Sequence, residues 1–160
     1  MSEIKTGLTA LALAAFFVAP CLATAHAQEG PKLFFEGDIV RGAGPTAKGP
    51  GCVLNSQFKR GETEIFRLRV VDSKTGDNLD DKGVKSLTLE MSNGEKFDMR
   101  FHGHPPKEPV DWFWVAGWPI RDDQPTGSFS YKITATTLAG DTVVWQPFKV
   151  KASQLTVVEN

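Results

Sequence analysis

Two histidines of this sequence have the type and the spacing to approach one metal ion together. His102 and His104 stand two positions apart within residues 99–120, MRFHGHPPKEPVDWFWVAGWPI. On a β-strand such a pair shares one face with a separation of about 7 Å, so both imidazoles could approach one ion. Two imidazoles alone hold a metal weakly, and we therefore expect a third ligand from Cys52 or Asp111. A set that includes the Cys52 sulfur favours copper over zinc.

The same histidines have a simpler interpretation. His-x-His alone is a weak motif, and His102 and His104 could be turn residues before Pro105 and Pro106. Met99 would extend the motif to a copper-like Met/His string. Its odd separation from His102, however, predicts that the Met99 side chain points into the core instead.

Three of the chain's four tryptophans follow in this segment. Trp112, Trp114 and Trp118 share one parity, and Phe113 and Val115 occupy the other. Either both faces of this strand are covered, or one face exposes an aromatic patch that binds a partner protein, a glycan or a hydrophobic ligand. The alternative role is core packing, which is common for a Trp in sandwich domains. We expect at most one or two of the three to be exposed.

Motifs of catalysis and of nucleic-acid binding are missing from the sequence. It holds no G-x-S-x-G, H-E-x-x-H, C-x-x-C or phosphate-binding glycine loop. A nucleophilic pair of Cys52 with a histidine has no local signature in its favour. The formal net charge of −1 gives no electrostatic basis for binding nucleic acid or an anionic membrane. These observations predict a protein that is not an enzyme.

The first 27 residues have the pattern of a secretory signal peptide. Residues 8–18 are almost wholly apolar, Pro20 interrupts the run, and Ala25-His26-Ala27 provides small residues for cleavage after Ala27. This run, like every later one, is too short to span a bilayer. Pro20 also argues against lipidation at Cys21. We expect residues 28–160 to form a single domain that is exported, either periplasmic or secreted.

Cleavage leaves Cys52 as the one cysteine of the mature chain. An intrachain disulfide is then impossible. Cys52 is predicted to be a buried, inert thiol, which is the commonest state of free cysteine, with an intermolecular partner or a metal as alternatives.

Alternation of apolar and polar residues with period two predicts β-strands along the mature chain. The expected strands are residues 33–40, 52–58, 64–71, 86–91, 96–101, 112–118, 129–136, 142–151 and 155–158. Asn93-Gly94 joins two of them with the strongest short signal for a hairpin. The side chains predicted to face the core are Phe66, Leu68, Val70, Leu87, Leu89, Met91, Phe97, Met99, Phe101, Phe129, Tyr131, Ile133 and Ala135.

Strands separated by turns at this rhythm, with no helical period after the leader, predict an all-β fold. We expect an antiparallel β-sandwich of about seven to nine strands, with a closed barrel as the alternative.

Two segments resemble bacterial Ig-like and macroglobulin-type sandwich domains. Residues 58–76, FKRGETEIFRLRVVDSKTG, resemble the opening of such domains, where Gly-Glu begins a strand that ends in V-x-D before a glycine turn. Residues 118–135, WPIRDDQPTGSFSYKITA, are similar to their later half, and FKV at 148–150 matches the closing strand. The resemblance implies an Ig-like fold without the core disulfide of antibody domains, and fold alone does not imply function.

Two functions remain open at this level. The first is an exported, non-catalytic Ig-like module that binds a protein partner or ligand through Trp112, Trp114 or Trp118. The second is a periplasmic, copper-type metal-binding protein that uses His102 and His104. Stoichiometric uptake of metal by the mature protein would distinguish them.

Overall fold

A computed structural model describes residues 32–42, 51, 54–147 and 155–159. These residues form ten strands and no helix, so none of them belongs to a helix that could cross a membrane. The strands are β1 (Leu33–Arg41), β2 (Gln57–Lys59), β3 (Thr63–Asp72), β4 (Val84–Met91), β5 (Lys96–His104), β6 (Asp111–Pro119), β7 (Gly127–Phe129), β8 (Tyr131–Thr137), β9 (Thr142–Trp145) and β10 (Leu155–Val158).

The strands form one large and one small sheet. The large sheet has seven antiparallel strands in the order β1-β3-β6-β5-β4-β8-β9. The small sheet has the order β2-β10-β7, in which β10 pairs parallel with β2 and antiparallel with β7. The all-β, largely antiparallel architecture expected from the sequence is confirmed.

One face of the large sheet forms the core. On β3, Phe66, Leu68 and Val70 are buried, and Arg67 and Arg69 point to the opposite face. All thirteen side chains predicted to face inward are either buried in this core or packed against it as half-buried residues. The small sheet contributes to the same core the side chains of Phe58, Leu155 and Val157.

The large sheet is curled, so its two edge strands approach each other. Phe35 on β1 stacks on Trp145 on β9, with ring centroids 6.2 Å apart and an interplanar angle of 22°. Gly37 lies beside this contact, where a Cβ would meet Leu68 Cδ1 at 2.8 Å and the Trp145 ring at an ordinary contact distance of 3.7 Å. Among the described residues, the two edges are joined by side-chain contacts and not by backbone hydrogen bonds between strands. The sheet is therefore curled without being closed.

The predicted strand over residues 129–136 is divided between the two sheets. Phe129 ends β7 and Tyr131 begins β8. Between them, the Ser130 carbonyl accepts a hydrogen bond from Ser92 N at 2.8 Å, and Ser130 N donates to Ser92 Oγ at 3.2 Å. Ser130 therefore binds the β4–β5 hairpin. With this division the described residues form ten strands, one more than the upper limit expected.

Two predicted boundaries also differ from the structure. In the expected extended segment 52–58, Gln57 and Phe58 begin the short strand β2, and Cys52 itself lies outside the described residues. The strand expected to run from 142 to 151 ends at Trp145, and residues 148–154 lie outside the described part of the chain.

Candidate functional site

Both histidines lie on the face of the large sheet that is opposite to the core. We call this surface of β1, β3, β6 and β5 the outer face. In the β5–β6 register His102 is opposite Phe113 and His104 is opposite Asp111, while both imidazoles are exposed. Met99, on the other face of β5, is buried in the core. The predicted division of Met99 from the two histidines is therefore confirmed.

A mostly apolar cavity of about 180 Å³ opens on the outer face. Phe113 forms part of its wall and is only 7% exposed. Ile65 and Val115, which are apolar and half-buried, also line the cavity. Its polar groups come from Arg67, His102 and His104. The cavity thus combines a hydrophobic floor with two imidazoles and a guanidinium.

A charged cleft of about 130 Å³ adjoins this cavity. Arg67 donates two hydrogen bonds to Asp38, Nε to Oδ1 at 2.7 Å and Nη2 to Oδ2 at 2.5 Å. Arg69 contacts Glu36 at 3.4 Å and also donates to Asp111. The hydrogen bond from Arg69 is the main cause that lowers the pKa of Asp111. Three carboxylates against two guanidiniums leave the cleft with one excess negative charge.

Arg67 and Phe113 line both the apolar cavity and the charged cleft. The guanidinium carbon of Arg67 lies 5.4 Å from the centroid of the Phe113 ring, a cation–π distance. This stacked pair therefore forms the boundary between the two depressions. A ligand on the outer face could contact both of them at once.

The three tryptophans of β6 divide between core and surface. Trp114 and Trp118 are buried, and their indole N–H groups are satisfied by the Leu79 carbonyl at 2.9 Å and by Glu95 Oε2 at 2.7 Å. Trp112 is 51% exposed, which agrees with the expectation that at most one or two of the three are exposed. Its ring stacks on Phe101 with centroids 5.6 Å apart. Of the three tryptophans, Trp112 alone is exposed enough to contact a partner.

Within the described residues, no three His, Cys, Asp or Glu side chains form a group that could hold a metal. The Asp111 carboxylate, one of the two expected third ligands, is bound by Arg69. The other candidate, Cys52, lies outside the described residues. The metal-binding role of His102 and His104 stays a prediction.

The metal hypothesis makes a direct prediction for solution. If His102 and His104 bind copper, the mature protein takes up stoichiometric Cu²⁺ in a calorimetric titration, and the double variant His102→Ala/His104→Ala takes up none. Both imidazoles are exposed, so this variant is expected to keep the free energy of unfolding of the parent protein, measured in urea, within about 0.5 kcal/mol. Equal copper uptake by the parent and the variant would contradict the hypothesis.

No protein-family model matches the chain, and a comparison with curated proteins finds no significant relative.

Sequence reasoning did not identify the acidic group buried beneath this sheet. Glu64 is completely buried on the inner face of β3, and neither of its oxygens has a hydrogen-bond partner among the described residues. Burial first, and the charge of Glu62 second, raise the pKa of Glu64 to about 8. The signal was present in the parity of β3, because Glu64 alternates in phase with Phe66 and Leu68.

The other residues of the outer-face site were also missed. Asp38, Glu36, Arg67 and Arg69 were not among the candidate site residues. Arg67 and Arg69 could have been suspected, since two arginines on one strand share the parity opposite to the core. Their carboxylate partners come from neighbouring strands, and nothing in the local sequence shows that pairing.

Proposed function

We propose that this chain is an exported, non-catalytic binding module with an Ig-like sandwich fold, which holds a protein partner or ligand against the outer face of β3, β6 and β5. The observation that carries the proposal is the apolar cavity beside His102 and His104. Its site is formed by rigid strands of a large sheet, and such elements hold a binding surface with little loss of entropy on association.

The composition of the outer face supports this proposal. The solvent side of an antiparallel sheet normally presents polar residues. Here Ile65, Phe113 and Val115 form a hydrophobic floor beneath exposed imidazoles. A cavity with an apolar floor and a few polar groups at its edge is the usual form of a binding site.

The Ig-like and exported character of the module rests on the sequence together with the sheet arrangement. The pair Gly61-Glu62 directly precedes β3 and Asp72 ends it, as the resemblance to Ig-like domains implies. The curled large sheet and the small sheet share one core, which is compatible with a sandwich. The apolar run of residues 8–18 and the small residues before position 28 support export to the periplasm or the medium.

N-acetyl-leucinamide is a suitable first probe, because it carries a single apolar side chain. Titration of the mature protein with it is expected to produce saturable shifts of the imidazole ring protons of His102 and His104 in NMR spectra. Val115→Phe should abolish these shifts, since a phenyl group added at this position fills the cavity.

Val144→Phe is the matched control. Val144 is exposed on β9 and does not line the cavity, so the same change of side chain there should leave the shifts as they are in the parent protein. Absence of saturable shifts in the parent protein, or unchanged shifts in Val115→Phe, would show that this cavity binds no apolar group.

A further inference from the structure

We infer that the partner at this site is an extended protein segment that places an apolar side chain in the cavity and a lysine or arginine in the adjacent charged cleft. This inference rests on the proposed function and specifies the chemistry of the partner. It combines three properties of the outer face, namely the size of the two depressions, the charge of the cleft and the boundary that they share.

The size of each depression suits a single side chain of a protein segment. The cavity of about 180 Å³ and the cleft of about 130 Å³ are each smaller than the roughly 300–1,000 Å³ typical of small-molecule sites. A cavity of this size suits one anchoring side chain. Interfaces between proteins commonly rely on such anchors, in pockets that are surrounded by polar groups.

The charge of the cleft selects a basic neighbour. Arg67 is bound through two hydrogen bonds to Asp38, and Arg69 is shared between Glu36 and Asp111. Glu36 has a side chain that is 72% exposed and only a 3.4 Å contact to Arg69, so its carboxylate can accept an incoming cation. An anion in the same position would meet the excess negative charge of the cleft.

The shared boundary sets the spacing within the partner. Arg67 and Phe113 line both depressions, so the two binding positions are directly adjacent. In an extended chain, residues i and i+2 project from one side about 7 Å apart. An apolar residue and a basic residue two positions apart therefore fit the site.

Three peptides test this inference: acetyl-Leu-Gly-Lys-amide, acetyl-Leu-Gly-Gln-amide and acetyl-Leu-Gly-Glu-amide. The ring protons of His102 and His104 report binding of each. We expect affinity to fall in the order Lys, Gln, Glu, with about a tenfold difference between the first and the last at low ionic strength, since each charge interacts across about 6 Å of water. The difference should shrink as salt is added.

Glu36→Lys provides the decisive comparison. This substitution changes the net charge of the cleft from −1 to +1 and should reverse the order, so that the Glu peptide binds most tightly. Asp81→Lys makes the same charge change at an exposed turn outside both depressions and should keep the original order.

The outcomes separate this inference from the proposed function. Equal binding of the three peptides, or tighter binding of the Glu peptide to the parent protein, would refute a basic partner while the apolar site remains. Binding of none of the peptides, together with no response to N-acetyl-leucinamide, would refute both.

Discussion

Replacing Glu64 with Gln is expected to remove a large loss of stability that the parent protein suffers as pH rises from about 5 to 8. The pKa of Glu64 is about 8 in the folded chain, against an ordinary value of 4.5. Between these values the folded state retains a proton that the unfolded state releases. The free energy of unfolding therefore falls by about 1.4 kcal/mol per pH unit from this group.

The sign of this pH dependence is set by which state, folded or unfolded, holds the proton on Glu64. The contribution of neutral Glu64 is fully present below pH 4.5 and is lost as the pH rises through 8, where the carboxylate becomes charged inside the core. Arg41 is the register partner of Glu64 on β1. Its guanidinium Nε lies 3.3 Å from Glu62 Oε1, so Arg41 forms an ion pair with Glu62. Glu64 itself has no hydrogen-bond partner among the described residues that could stabilise the charge.

Urea unfolding of the parent protein and Glu64→Gln between pH 5 and 9 measures this effect. We expect the two curves of stability against pH to diverge, with the variant favoured increasingly at alkaline pH. Asp81→Asn, at an exposed turn, should follow the parent curve. Parallel curves for the parent and Glu64→Gln would mean that Glu64 titrates near its ordinary pKa in the folded state.

Trp118→Ala is expected to destabilise the protein by about 3–5 kcal/mol, the range for removing a large aromatic side chain from a core. Trp118 is 0% exposed and packs its ring 5.2 Å from that of Phe129 in the small sheet. Its indole N–H binds Glu95, which also accepts a 2.5 Å hydrogen bond from Arg121. The substitution removes a ring contact between the two sheets and also the indole donor to the partly exposed Glu95 carboxylate.

Trp112→Ala is the control for this measurement, because it deletes the same side chain from the same strand at an exposed position. Its cost in urea unfolding should stay near 1 kcal/mol, mainly from the lost stacking on Phe101. Trp118→Phe should fall between the two, since it keeps a ring and loses the hydrogen bond. Similar losses for Trp118→Ala and Trp112→Ala would contradict the assignment of Trp118 to the core.

The inner face of the large sheet could be predicted because parity is a local property. Period-two alternation identified Leu68 and Ile133, and it even placed Phe129 toward the core although that residue belongs to the small sheet. The break at Ser130 could not be predicted in this way. It depends on hydrogen bonds to Ser92, which lies far away in sequence.

The candidate site was accessible to sequence reasoning only in part. Parity placed His102 and His104 on the face opposite to Met99, and the structure agrees. The cavity beside them requires β3 to lie next to β6, and the charged cleft requires β1 to lie next to β3. Strand order is set by packing of the whole core, and no local pattern specifies it.

The stacking of Phe35 on Trp145 has a consequence for the rate at which the native state is lost. The two rings come from strands near opposite ends of the described sequence, so bringing them together closes a loop of most of the chain. Because closing so long a loop costs entropy, we expect this contact to form late in folding. A contact that is absent from the folding transition state slows unfolding without speeding folding. The junction of the sheet's two edges is therefore expected to act mainly on the lifetime of the folded protein.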